Sequence, residues 1–167
     1  MLNIYRYFVL LLLSLMAASV LATTGPRVGE TAPDFALTDL NNKSHSLADL
    51  RQSGHVLLVF WSTKCHVCHA MIPQFQAIHK KYDGKGLTLA AINVGFEDKD
   101  EVDDYVFEYK LNYLVLNEDD KKAELAQGYR LVGTPTIQLI APDGTVKFRG
   151  HGIPDLDAIM AKTVSGR

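Results

Sequence analysis

The stretch His55-Val56-Leu57-Leu58-Val59-Phe60-Trp61-Ser62-Thr63-Lys64-Cys65-His66-Val67-Cys68-His69 decides how the chain is read. Its first half is an unbroken apolar run between Gly54 and the polar Ser62-Thr63, which fits a strand buried on both faces. Its second half holds both cysteines of the chain. Taken alone, Cys65-x-x-Cys68 reads as a redox dithiol, Cys65-x-x-Cys68-His69 as a c-type haem attachment site, and the same residues as half of a zinc site. A structural staple is a weak reading, because a disulfide closing a two-residue loop removes little chain entropy.

Downstream of the motif, apolar side chains fall at Val67, Ala70, Met71, Phe75, Ile78 and Tyr82, close to helical spacing, with Pro73 interrupting one turn in. The cysteines therefore sit at a helix N-terminus. Asp83-Gly84-Lys85-Gly86 stops that helix and Leu87 to Val94 forms a second buried strand, so the segment is a βαβ unit with a parallel strand pair. Further on, the pattern predicts a helix over Asp100 to Tyr109, a short strand at Tyr113 to Leu116 and a short helix over Lys121 to Gly128. Thr136 to Ile140 and Thr145 to Phe148 make a hairpin around Pro142-Asp143-Gly144, and a last helix runs from Asp155 towards Thr163. Upstream, Phe35 to Leu37 and Ser44 to Ser46 flank a turn-rich spacer and read as another hairpin. The charge run Glu118 to Lys122 is a solvated loop leading into a helix, its acids near the end where the dipole favours them. His45, His55 and His79 are too scattered to share a metal.

At the N-terminus a short polar segment with Arg6 precedes an apolar run from Tyr7 to Leu21 that closes on Val20-Leu21-Ala22, the layout of a secretory signal peptide at residues 1–22. The run is shorter than the roughly 20 residues of a usual membrane span, and an uncleaved N-terminal anchor is the alternative. Residues 23–167 are enough for one domain with a real core. Beyond the leader the chain has 16 basic and 19 acidic residues, a balance that points away from nucleic acid or an anionic membrane surface as partner.

The placement of the cysteines suits redox work. A helix N-terminus supplies partial positive charge and free N–H groups that favour thiolate at the first cysteine, and Lys64 and His66 add to that. Cys65, at the helix start, is then the attacking nucleophile, and Cys68, one turn further in, the resolving thiol.

Four segments together resemble the thioredoxin-like proteins, and within them the periplasmic or membrane-associated disulfide reductases of the TlpA/ResA type. They are Gly29-Glu30-Thr31-Ala32-Pro33-Asp34-Phe35, Val59 to Cys68, Asn93-Val94-Gly95 and Val132-Gly133-Thr134-Pro135-Thr136. The resemblance spans about Val28 to Gly152. It implies a thioredoxin-like α/β fold, a central mixed sheet flanked by helices, with an N-terminal β-hairpin extension. It further implies a cis Thr134–Pro135 bond beside the dithiol, with Trp61, Thr134 and Pro135 in the substrate-binding surface. The sequence departs from the family in having Val67 instead of proline before the second cysteine, and Lys64 instead of an aromatic before the first. It also has Val59 and Met71 at the two positions where relatives carry an acid that deprotonates the buried cysteine. His66 and His69 are the nearest replacements for that base, and Glu97 a more distant one.

The activity implied is thiol–disulfide exchange by an exported, monomeric protein in the periplasm, free after signal cleavage or tethered by its N-terminus. It would keep exported protein cysteines reduced, apocytochrome c among them, with electrons from a membrane partner. No metal and no cofactor beyond the Cys65–Cys68 disulfide are expected. The competing readings are a c-type cytochrome with His69 as axial ligand, a binding module with an incidental dithiol, and a peroxiredoxin-like peroxidase. A βαβ frame and a Gly-Thr-Pro-Thr segment have no purpose in a small cytochrome.

Overall fold

A computed structural model describes residues 25–164. The expected leader at residues 1–22 lies outside the described residues. Strands β1 (Ala36–Thr38) and β2 (Ser44–Ser46) form the anticipated N-terminal hairpin, with Ala36 opposite Ser46. A one-turn helix α1 (Leu47–Leu50) and a 3-10 turn (Arg51–Ser53) lead into β3 (His55–Trp61), every residue of which is buried. Then follow α2 (His66–Ala70), α3 (Ile72–Tyr82), β4 (Leu87–Asn93), α4 (Lys99–Glu108) and β5 (Leu114–Leu116). A 3-10 turn (Asp119–Lys121) precedes α5 (Lys122–Gly128), and β6 (Thr136–Ile140), β7 (Val146–His151) and α6 (Leu156–Thr163) complete the chain.

The central sheet is five-stranded and mixed, in the order β5-β4-β3-β6-β7. β3 and β4 run parallel with Trp61 opposite Asn93, whereas β3 and β6 are antiparallel with Phe60 opposite Thr136. Because strand side chains alternate, the unbroken apolar run of β3 feeds two cores at once. Leu57, Val59 and Trp61 pack with Met71, Phe75 and Ile78 under α2, α3, α4 and α6, while Val56, Leu58 and Phe60 pack with Phe35, Leu47, Leu125 and Tyr129 on the opposite face. The sheet is thus a filling between two helical layers, the architecture that the resemblance implies.

The expected helix from Val67 to Tyr82 is two helices that meet at Met71. Pro73 has no N–H to give to the His69 carbonyl four residues back, and its ring crowds that carbonyl, so the first turn cannot run straight on. Two further differences are small: β7 continues through Arg149-Gly150-His151 beyond its expected end, and the one-turn α1 was not foreseen. Among the described residues no helix is long and apolar enough to cross a membrane.

Candidate active site

β3 ends at Trp61 and the chain turns through Ser62-Thr63-Lys64 to Cys65, which caps α2. The Cys65 amide donates to the Ser62 carbonyl at 3.1 Å, and the Cys65 carbonyl accepts from the His69 amide at 3.0 Å. Cys65 and Cys68 are joined as a disulfide with their Cα atoms 5.2 Å apart. The two sulfurs are unequal: Cys65 is partly exposed, whereas Cys68 is 4 % exposed and packs in the core with Trp61 and Met71. The Cys68 amide donates to the Cys65 sulfur at 3.1 Å, an N–H placed where a negative sulfur is stabilised.

The remaining expected residues fall around this loop in different ways. His66 and Val67 are exposed beside the cysteines. Trp61 lies beneath the motif, only 4 % exposed, its ring 5.2 Å from that of Tyr105. Thr134 and Pro135, joined by a cis peptide bond, immediately precede β6, whose Thr136 pairs with Phe60, so they stand at the same end of the sheet as the dithiol. The Thr136 hydroxyl donates to the Gly133 carbonyl at 2.7 Å. Having one proton to give, it accepts from His151 Nδ1 at 3.1 Å, which fixes the protonated nitrogen of that ring. His69 is not a bare surface residue: its Nδ1 is 3.2 Å from the Tyr105 hydroxyl and its ring meets that of Tyr109 edge-on at 4.5 Å. The Tyr105 hydroxyl is pushed up to about 12, by burial first and then by Tyr109 and Glu108, so it stays protonated at neutral pH.

Glu97 is the residue that sequence reasoning placed too far away. It is 1 % exposed, on the loop that follows β4, and its Oε1 accepts three bonds from the loop leading to Cys65. These come from the Ser62 hydroxyl, from the Thr63 hydroxyl at 2.8 Å and from the Lys64 amide at 3.3 Å. Burial alone would raise its pKa, but the donors from Ser62, its own amide, Thr63 and Lys64 outweigh burial and hold the carboxyl down at about 2. An acid that weak in proton affinity is a poor acceptor for a thiol proton at neutral pH. Lys122 Nζ, from the charge run, donates to the Glu97 carbonyl at 2.8 Å and pairs with Asp119, also at 2.8 Å. Among the described residues no three His, Cys, Asp or Glu side chains gather into a group that could hold a metal.

A partly exposed and a buried cysteine, bonded to each other at a helix start on the end of a buried strand, define a thioredoxin-like redox protein. The chain belongs to the AhpC/TSA family, whose model matches residues 28–149. It is 36 % identical over 124 residues to the thiol-disulfide oxidoreductase ResA of Geobacillus kaustophilus, covering 74 % of this chain and 69 % of the relative. To the protein of the same name from Geobacillus thermodenitrificans it is 34 % identical, covering 83 % and 80 %. A thiol:disulfide interchange protein from Bacteroides sp. superposes with a TM-score of 0.72 at 28 % identity, covering 86 % of this chain and 93 % of that one. The protein is accordingly a thiol-disulfide oxidoreductase, and its substrates are protein thiols and disulfides.

Proposed function

We propose that the protein is an exported disulfide reductase in which Cys65 attacks and Cys68 resolves. The observation that carries the reading is the inequality of the two sulfurs, one partly exposed and one 4 % exposed. In the reduced protein the Cys65 thiolate attacks one sulfur of a substrate disulfide. A Cys65–substrate disulfide forms, and the first substrate thiolate leaves and takes a proton. Cys68, deprotonated, then attacks Cys65, closing the Cys65–Cys68 disulfide and releasing the second substrate thiol. Two electrons and two protons pass to the substrate, and a dithiol donor on a membrane partner restores them. His66, exposed between the cysteines, tunes the Cys65 thiolate. Thr134 and Pro135 contact the substrate chain, with Trp61 beneath supporting the surface. The signal-like layout of residues 1–22 supports export to the periplasm, and the TlpA/ResA-type resemblance of the sequence carries the finer reading of a place in cytochrome c maturation with an apocytochrome as substrate.

The test is trapping. Cys68→Ser leaves Cys65 able to form the mixed disulfide and unable to release it, so adducts that vanish on reduction should accumulate, while Cys65→Ser should trap little. Equal adducts from both variants refute the assigned roles. The direction of electron flow is read from the reduction potential: a value near −270 mV marks a reductant, and one near −120 mV an oxidant and the failure of this reading.

A further inference from the structure

We infer that Glu97 is the positioning residue of the nucleophile: its buried carboxylate fixes the Ser62–Lys64 loop that presents Cys65, and its negative charge raises the pH at which Cys65 ionises. This deepens the reductase reading and rests on it, because a thiolate that is harder to form leaves the reduced state less favoured, which suits a site that gives electrons away.

Three observations converge on it. All three donors from the loop reach a single oxygen, Glu97 Oε1, so one side chain sets the path of three consecutive residues before Cys65. The other oxygen, Oε2, is buried and has no hydrogen-bond partner among the described residues. An acid 1 % exposed with half its acceptor capacity idle is an expensive way to hold a loop, and its remaining property is its charge. Finally, Gly95 has no side chain where a Cβ would run into the Glu97 carboxylate, so the backbone two residues earlier makes room for it. Lys122 ties down the Glu97 backbone from α5 and, through Asp119, spends its charge elsewhere.

The charged and titratable groups near Cys65 come from every neighbouring element. On its own loop and on α2 they are Lys64, His66 and His69; Lys64 Nζ is drawn off to Glu101 of α4 at 3.4 Å and His69 to the Tyr105 hydroxyl. On the β6 side the loop Val132 to Pro135 carries no ionisable group, and His151 is engaged with Thr136. Glu97 is therefore the buried charge nearest the loop, with an oxygen 3.3 Å from the amide that precedes Cys65. At an effective protein dielectric of about 20, two negative charges held about 10 Å apart disfavour each other by on the order of one pKa unit, a tenfold change in the ionised fraction.

The decisive variant is Glu97→Gln. It keeps Oε1 for the three loop donors, and its amide nitrogen replaces an oxygen that receives no bond, so charge is removed while the loop's bonds remain. Both forms are made in a Cys68→Ala background, and the rate of iodoacetamide alkylation of Cys65 is followed from pH 5 to 10, with circular dichroism confirming the fold. The midpoint should fall by about one unit in Glu97→Gln. A second variant, Ser62→Ala with Thr63→Val, keeps the charge and removes two donors; its midpoint should stay or rise, and its alkylation should grow less selective between neutral and bulky reagents as the loop loosens. A Glu97→Gln midpoint that is unchanged or raised overturns the inference, and so does a double variant whose midpoint falls. Should Glu97→Gln fail to fold, the double variant alone decides. An oxidising potential in the wild-type protein sinks the reductase reading instead, and leaves the midpoint shift standing.

Discussion

Removing the Glu97 charge should change how the fold responds to acid. The carboxyl titrates at about 2 in the folded protein against an ordinary value of 4.5. At about 1.36 kcal/mol per unit, that difference sets a ceiling of roughly 3 kcal/mol on its contribution to stability. The loop is at the surface, where water screens part of the interaction, and about 2 kcal/mol is expected. The sign follows from the direction of the shift. A folded pKa below the unfolded one gives stability that is fully present above about pH 5, and that is lost as pH falls towards about 2. The assay is urea unfolding of the oxidised protein and of oxidised Glu97→Gln at a series of pH values from 7 to 2. Every other carboxylate titrates alike in the two proteins, so the difference isolates Glu97. The variant should be about 2 kcal/mol less stable at pH 7, with the gap closing as pH drops below about 4 and nearly gone at about pH 2. A gap that stays constant across the range refutes the reasoning, since it would mean that the carboxylate acts through shape and not through charge.

Two further substitutions test the frame around the site. Gly54 has φ 133°, and a Cβ there would collide with the backbone of Gly86, so Gly54→Ala should cost more than about 2 kcal/mol in denaturant unfolding; a loss under about 0.5 kcal/mol would show that the β3 entry is not held as described. Tyr129 is 1 % exposed and its hydroxyl donates to the Pro33 carbonyl, so Tyr129→Phe should lower stability by about 1 kcal/mol without altering the rate of disulfide exchange, and an unchanged unfolding midpoint would contradict it.

What the sequence made legible is what apolar patterning carries. β3 was readable to the residue because a strand buried on both faces must be apolar throughout, and its ends are marked by Gly54 and Ser62. The same logic gave β4 and β6. The apolar pattern of β7 ends at Phe148, yet an edge strand needs apolar residues on one side only, so the strand runs on to His151 with the Arg149 guanidinium donating to the Tyr129 and Arg130 carbonyls. The one-turn α1 has a signal in the sequence, a Ser-x-x-Asp spacing: Ser46 caps it by accepting from the Asp49 amide at 3.0 Å. The charge run reads as solvated in sequence, yet two of its five residues reach distant partners. Glu118 accepts from the Thr38 amide and hydroxyl, both at 2.9 Å, and Lys122 reaches the Glu97 carbonyl. Charged side chains satisfied by distant backbone leave no periodic trace, and for that reason the sequence ranks Glu97 only as a distant candidate.

The active site and its brace depend on one strand register. Trp61 and Asn93 end their strands side by side, and the pairing continues for one more bond, from the Val94 amide to the Trp61 carbonyl at 2.9 Å. From that common edge one chain leaves as Ser62-Thr63-Lys64-Cys65 and the other as Gly95-Phe96-Glu97, so an acid three residues past Val94 meets a loop that starts one residue past Trp61. A slip of one residue would turn every β3 side chain to the opposite core and carry the cysteine loop away from Glu97, and packing on both faces makes such a slip prohibitive. The burial of β3 does more than stabilise the domain, because it fixes the two points from which the Cys65 loop and the Glu97 loop depart. Val59 and Met71, the positions where the resemblance led one to expect an acid, are both core and 1 % exposed, and the buried carboxylate comes instead from the loop that follows the neighbouring strand.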